Sequence, residues 1–422
     1  FGSSSSFRFK TIRYCITMCA ALNMMKLSGA ILLASLIGSA AQGHDGSHES
    51  FKAYMSKHSR DYKVNSSEYK MRHALFVQRV AEVQQQNSQP AKLWTANVNH
   101  LSDRTEKELA QLRGWRGAHS KSKGKTVGVR AHMPGHSGWF LNQRSNNVGP
   151  RLPDQISWAN LSAIQQDTNQ GGCGSCWAIA TTTVLNSVAE KAGLRRSFSE
   201  QDLVDCVPNP HRCGGTGGCS GATVELAMNW VVSNGIRDVE SSPYYGVDRT
   251  CASSLAQMAP RELSDTDFEA MIAIGVHSSP ASSAGLSLGV KHWERLPEND
   301  YLPLLRALVQ HGPIAVSVAA SGWTSYEQGI FNSCPSDAVV DHAVTLFGYG
   351  RDKESDVKFW EIKNSWGLVW GMNGNIRLIR EDTPVCGTDW QPEVGTGCEG
   401  GPSSVKVCGQ CGILYDAVAV HM

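Results

Sequence analysis

No charge of one sign dominates this 422-residue sequence: 39 Lys and Arg stand against 38 Asp and Glu, a formal net charge of +1. A general nucleic-acid binder needs a basic excess to hold phosphates, so that class is excluded. Charged residues make up only 18% and hydrophobic residues 41%, so the bulk of the chain can bury a core and is not disordered. Long apolar runs are also missing. Leu27–Gly38 is 12 residues, short of the ~18 that cross a bilayer. No internal repeat occurs. Gly and Pro are absent from 49–89, where Phe51, Tyr54, Tyr62, Leu75, Phe76, Val80 and Val83 form a stripe near helical spacing. Asp and Glu are absent from 118–150, which carries five Lys or Arg, five Gly and three His. That composition describes a basic linker of the kind proteases nick.

Cysteine is abundant, at 13, and points to an oxidising compartment. Residues 1–23 read as upstream sequence. From Met24 or Met25, Lys26 supplies a short basic region, Leu27–Gly38 an apolar one, and Ser39, Ala40 and Ala41 a small-residue cleavage site. This is the pattern of a secretory signal, with a membrane anchor as the alternative that its length disfavours. Cys15 and Cys19 leave with the signal. The remaining cysteines are 173, 176, 206, 213, 219, 251, 334, 386, 398, 408 and 411, an odd number, so one thiol is unpaired or intermolecular.

From Leu152 onward the chain reads as one globular unit. Helices are predicted over 177–191 and 221–234, and strands over 314–320, 343–350, 358–364 and 375–381. Helices first and strands later suggest an α+β fold with two segregated subdomains. Residues 252–288 read as a surface insertion, and 387–401 as a loop.

Gln170-Gly171-Gly172-Cys173-Gly174-Ser175-Cys176-Trp177 is a Gly-rich turn running into a helix. Cys176 is thus predicted at a helix N-terminus, where the helix dipole favours a thiolate. A nucleophilic cysteine needs a base, and His342 opens the strand-like run DHAVTLFGYG. Asn364, in KNSWG, closes another strand and offers a side-chain amide to orient an imidazole.

The segments QGGCGSCW, DHAVTLFGYG and KNSWGLVWGMNG resemble, in order and spacing, the three signature blocks of papain-like cysteine proteases. The resemblance covers roughly 152–382. It implies a papain-like two-subdomain fold, with a helical left part and an antiparallel β right part. By position, Cys176 would be the nucleophile and His342 its imidazolium partner. Asn364 would hold the His342 ring, and Trp366 would shield that bond. Gln170 would donate to the oxyanion hole. Upstream, Glu68, Arg72, Phe76, Val83 and Asn87 fall at the spacing of the ERFNIN pattern of papain-family propeptides, with Arg79 in place of its usual Asn. Asn97, Asn99, Leu101 and Asp103 resemble the short motif that follows it. The domains implied are an upstream and signal segment, 1–41; an α-helical inhibitory prodomain, 50–113; an activation linker, 114–150; and a peptidase domain, 151–422. The function implied is that of a cysteine endopeptidase of cathepsin-L-like character, made as an acid-activated zymogen and acting on proteins and peptides. It would be secreted or lysosomal/vacuolar, with its own prodomain as inhibitor. The alternative is a catalytically inactive papain-fold binding or storage protein. No cofactor and no metal are implied.

With Cys176 free, the resemblance pairs Cys173 with Cys219 and Cys206 with Cys251. A bridge from Cys334 runs to Cys411 or to Cys386, and the sequence leaves that choice open. A zinc site of Cys386, Cys398, Cys408 and Cys411 is the rival reading. Gly221 and Ala222 fall where substrate backbone pairs, with Ala222 in place of a common second Gly. No adjacent His pair lies between Cys206 and Cys219, so a dipeptidase-type occluding loop is not expected. Ala343, Ser317 and Val224 would line the pocket for the second residue before the scissile bond. The block Cys411-Gly412-Ile413-Leu414-Tyr415 puts Asp416 at its floor, as an acceptor for a substrate Arg. Taking Cys386 as the block puts Gln391 there instead.

Overall fold

The computed structural model describes residues 43–114, 151–252 and 288–422. The signal segment, the linker beyond Gly114 and nearly all of the 252–288 insertion lie outside the described residues. The chain divides into two units, Phe1–Gln78 and Arg79–Met422.

The first unit holds helix α1 (Gly43–Lys57) and the start of α2 (Ser67–Ser88). The apolar stripe becomes an aromatic cluster. The Phe51 ring lies 5.3 Å from both Tyr69 and Phe76, and Tyr54 lies 4.9 Å from Phe76. Arg72 sits 5.5 Å over the Tyr62 ring and pairs with Glu68 one turn back, at 3.5 Å.

The second unit begins in the later turns of α2. Asn87 there acts as a surrogate strand: its amide donates to the Ala96 carbonyl at 2.8 Å and accepts from the Ala96 N–H at 2.9 Å. This pins strand β1 (Trp94–Ala96), which pairs antiparallel with β5 (Tyr326–Phe331). Gly329 of β5 has φ +94°, and a Cβ there would fall 2.3 Å from the Leu93 carbonyl, so only glycine allows the approach. Asn99 donates to the Thr324 carbonyl at 2.8 Å. Helix α3 (Glu106–Leu112) starts at a Thr105/Glu108 capping box.

The helical part comprises α4 (Ser162–Gln165), α5 (Cys176–Lys191), α6 (Glu200–Cys206) and α7 (Val224–Asn234). Every residue of α5 from Cys176 to Ala189 is buried. Thr181, Thr182 and Ser187 can be there because their hydroxyls donate to backbone carbonyls three or four residues back. The β part holds β2 (Ile156–Ser157), β3 (His292–Arg295), helix α8 (Tyr301–Gln310), β4 (Ile314–Val318), β6 (His342–Arg351), β7 (Lys358–Lys363), β8 (Asn375–Ile379) and β11 (Asp416–His421). Its strand order is β1-β5-β8-β7-β6-β4-β11-β3, with β2 on β6. All pairs are antiparallel except β5–β8. The fold is α+β, with α5 packed against the sheet through Ala315, Ala343, Val418 and Val420.

The segment 387–401 opens in a strand, β9 (Cys386–Asp389), which pairs antiparallel with β10 (Val405–Cys408); its remainder carries no strand. Cys411 takes φ +57° in a tight turn, and β11 begins only at Asp416.

Candidate active site

Ser175 precedes α5 without a side-chain cap, so Cys176 is the first helical residue, at the positive end of the dipole. Cys176 is the free cysteine among the described residues and is buried. His342 opens β6, and β6 packs on α5. Its Nε2 lies 2.8 Å from Asn364 Oδ1, at the end of β7. Asn364 Oδ1 also accepts the Ser365 N–H at 2.8 Å, which fixes the amide's orientation. The Trp366 ring lies 5.1 Å from His342 at 30° and covers that bond. The Nδ1 of His342 has no hydrogen-bond partner among the described residues.

Burial moves both titrating groups toward their neutral forms. It pushes the Cys176 thiol up to about 11, partly offset by the Ala343 N–H, and His342 down to about 4, partly offset by Asn364. Both shifts favour the thiol and the neutral imidazole.

An N-terminal segment, 112–114, lies against the residues flanking this pair. Gln170 Nε2 donates to the Leu112 carbonyl at 2.7 Å and to the Cys173 carbonyl at 2.8 Å, while Ser365 Oγ holds its Oε1 at 2.5 Å. Arg113 Nε bonds Asp341 Oδ2 at 2.8 Å, and its Nη2 bonds Glu106 at 2.8 Å. Burial raises Asp341 to about 6, against the lowering effect of Arg113. Gly221 has φ +93°, and a Cβ there would fall 2.8 Å from the Gly114 carbonyl, so the segment runs flat against it. Ala222 and Ala343 are buried close by. No local pattern marks Arg113, whose partner Asp341 lies 228 positions away.

Disulfides join Cys173 to Cys219, Cys206 to Cys251, Cys213 to Cys398, Cys334 to Cys411 and Cys386 to Cys408. The bridge from Cys334 thus runs to Cys411, and the rival zinc site has no thiolate left. Cys213–Cys398 straps the helical part to the β part. Gly214 N donates to the Gly397 carbonyl at 3.1 Å, and Thr396 N donates to Val340, two residues before His342, at 3.0 Å.

Asp416 requires a correction. It is neither open to solvent nor available to a substrate Arg. Its Oδ1 accepts from Arg295 Nε at 2.9 Å and its Oδ2 from Ser317 Oγ at 2.6 Å. Arg295 is itself buried and shared with Glu225 at 3.6 Å and Glu298 at 2.9 Å. The carboxylate predicted to receive a cation already has one from β3, a partner 121 residues away that no local pattern announces. Gln391, the other candidate, lies in the strap loop and donates its N–H to Asp389.

Residues 152–396 match the papain family of cysteine proteases, and residues 51–109 match the cathepsin propeptide inhibitor domain (I29). Cathepsin L of Sarcophaga peregrina is 32% identical over 241 residues, covering 56% of this chain and 61% of that protein. The senescence-specific cysteine protease SAG12 of Arabidopsis thaliana is 29% identical over 344 residues, covering 79% of this chain and 86% of that protein. Among solved structures, procathepsin L 3 from the Tenebrio molitor larval midgut aligns with a TM-score of 0.61 at 22% identity, over 89% of this chain and 99% of that one, and so speaks for the fold alone. Recombinant stem bromelain precursor aligns with a TM-score of 0.61 at 25% identity, over 90% of this chain and 99% of that one. With the papain match covering more than half its length and the inhibitor domain ahead of it, the chain belongs to the papain family of cysteine proteases.

Proposed function

We propose that this chain is the proform of a cysteine endopeptidase in which Cys176 attacks the scissile carbonyl of protein and peptide substrates. In the processed enzyme, water returns to the cleft and the thiol proton passes to His342 Nδ1, giving a thiolate–imidazolium pair. Asn364 holds the ring through Nε2. The thiolate adds to the carbonyl carbon, and Gln170 Nε2 with the Cys176 N–H stabilises the oxyanion. His342 then gives its proton to the leaving amine, leaving a thioester on Cys176. It next takes a proton from water, whose oxygen adds to the thioester carbon; the C–S bond then breaks, releasing the acid product and restoring the thiolate–imidazolium pair. Residues 50–113 act as the intramolecular inhibitor, 114–150 as the activation linker and 151–422 as the peptidase domain. The location is secreted or lysosomal/vacuolar.

The observation that carries this reading is the Leu112 carbonyl on Gln170 Nε2. A carbonyl from the prodomain sits on the donor that would serve a substrate's oxyanion. A catalytically inactive binding protein is the other reading. Incubation with a thiol-directed epoxide after prodomain removal separates the two. Stoichiometric adduct on Cys176 with loss of peptide hydrolysis is expected, and a processed chain that neither hydrolyses peptides nor takes up the epoxide would exclude the peptidase.

A further inference from the structure

At the far end of β11, five residues and about 17 Å of strand beyond Asp416, three side chains from separate elements converge. They are Glu294 of β3, His421 of β11 and His311, which follows the last residue of α8. One ligating atom from each lies within 4.8 Å of the other two. His421 Nε2 and Glu294 Oε1 are already 2.8 Å apart. The His311 ring stands edge-on to His421, with centroids at 4.3 Å. His292 stacks on the His421 ring at 4.2 Å and 11°. The Glu294 and His421 side chains are only 8% and 14% exposed.

We infer that Glu294, His311 and His421 form a binding site for a divalent transition-metal ion of the zinc class. Two imidazoles and a carboxylate are the donor set that zinc accepts, with ligand bonds of about 2.0–2.2 Å. That tetrahedral geometry needs donor atoms roughly 3.3–3.5 Å apart, so the His421–Glu294 pair opens slightly from 2.8 Å and His311, whose ligating atom lies within 4.8 Å of both, moves in. The imidazoles disfavour calcium and magnesium, which take oxygen ligands. Three protein ligands leave one position for water. Binding clamps the end of α8 to the β3–β11 ladder and stabilises the folded chain by mass action. No sequence motif marks the site, because the three residues are brought together by strand pairing and helix packing alone.

The test uses the full chain carrying Cys176→Ala, which removes the free thiol as a rival ligand and prevents self-cleavage. Equilibrium dialysis against zinc chloride should retain one zinc per chain, and zinc should raise the unfolding temperature. His311→Gln should weaken binding by at least ~10-fold and remove the temperature rise while keeping the far-UV circular dichroism. Should that variant fail to fold, carbethoxylation of the parent chain read by mass spectrometry decides: zinc must protect His311 and His421. No retained zinc, zinc retained equally by folded His311→Gln, or unprotected His311 and His421 would overturn the assignment.

Discussion

At the residue scale, neighbouring side chains of the site carry different weights. Cys176→Ala should abolish hydrolysis, a loss on the order of 10⁶-fold. Gln170→Ala should cost ~10²–10³-fold in kcat, the range for one oxyanion donor. Asn364→Ala should fall below the Cys176 loss, because the Cys176–His342 pair survives with a poorly held ring. Steady-state kinetics on the processed enzyme orders the three, and equal losses from Gln170→Ala and Cys176→Ala would contradict the roles. Asp416 carries a separate prediction. Its removal breaks a buried ion pair and should destabilise the fold by ~3–5 kcal/mol, without abolishing a preference for Arg, because Asp416 already serves Arg295. Matched Arg and Leu substrates, with denaturant unfolding in parallel, check this. A stable Asp416→Ala that loses Arg cleavage alone would restore the acidic floor.

At the element scale, the prodomain is held by an ion pair with a definite pH sign. The Arg113–Asp341 bond exists only while Asp341 is ionised, so it is present above about pH 6 and lost below. For folding itself the sign is opposite. A carboxyl raised above its ordinary value costs stability as pH rises through about 6, and that cost disappears in acid. The Arg113 contact itself thus weakens in acid, while the buried Asp341 costs the fold nothing once protonated. Arg113→Ala should let processing proceed at higher pH than in the parent chain, and N-terminal sequencing across pH 4 to 7 reads it. An unchanged pH profile would remove Arg113 from the latch. Much of this was legible beforehand. The helix from Cys176, the strands at His342 and Lys358 and the ERFNIN spacing through Asn87 all rest on local periodicity and short blocks. The β9–β10 pairing is not, because its strands are four residues each, Cys386–Asp389 carries no apolar alternation, and the Cys386–Cys408 bridge completes it. The partners of Asp416 and Asp341 come from distant strands and from the prodomain, and local pattern carries no information about either.

At the scale of the whole molecule, one of the five disulfides among the described residues, Cys213–Cys398, ties the helical part to the β part. The Cys213–Cys398 strap closes the longest separation, 185 residues. Replacing both cysteines by Ser should lower stability by ~2–5 kcal/mol while Cys176 chemistry persists, since none of the catalytic side chains bonds the strap. Thermal unfolding and epoxide titration of the same sample read both quantities. The central claim is that one chain contains a nucleophilic cysteine and the segment that masks it. The most direct test is the rate of Cys176 alkylation by an epoxide at pH 5, in the intact chain and after prodomain removal. The account predicts slow labelling of the intact chain, rapid labelling after removal, and adduct on Cys176 alone. Equal rates in the two forms, or adduct on another cysteine, would contradict it.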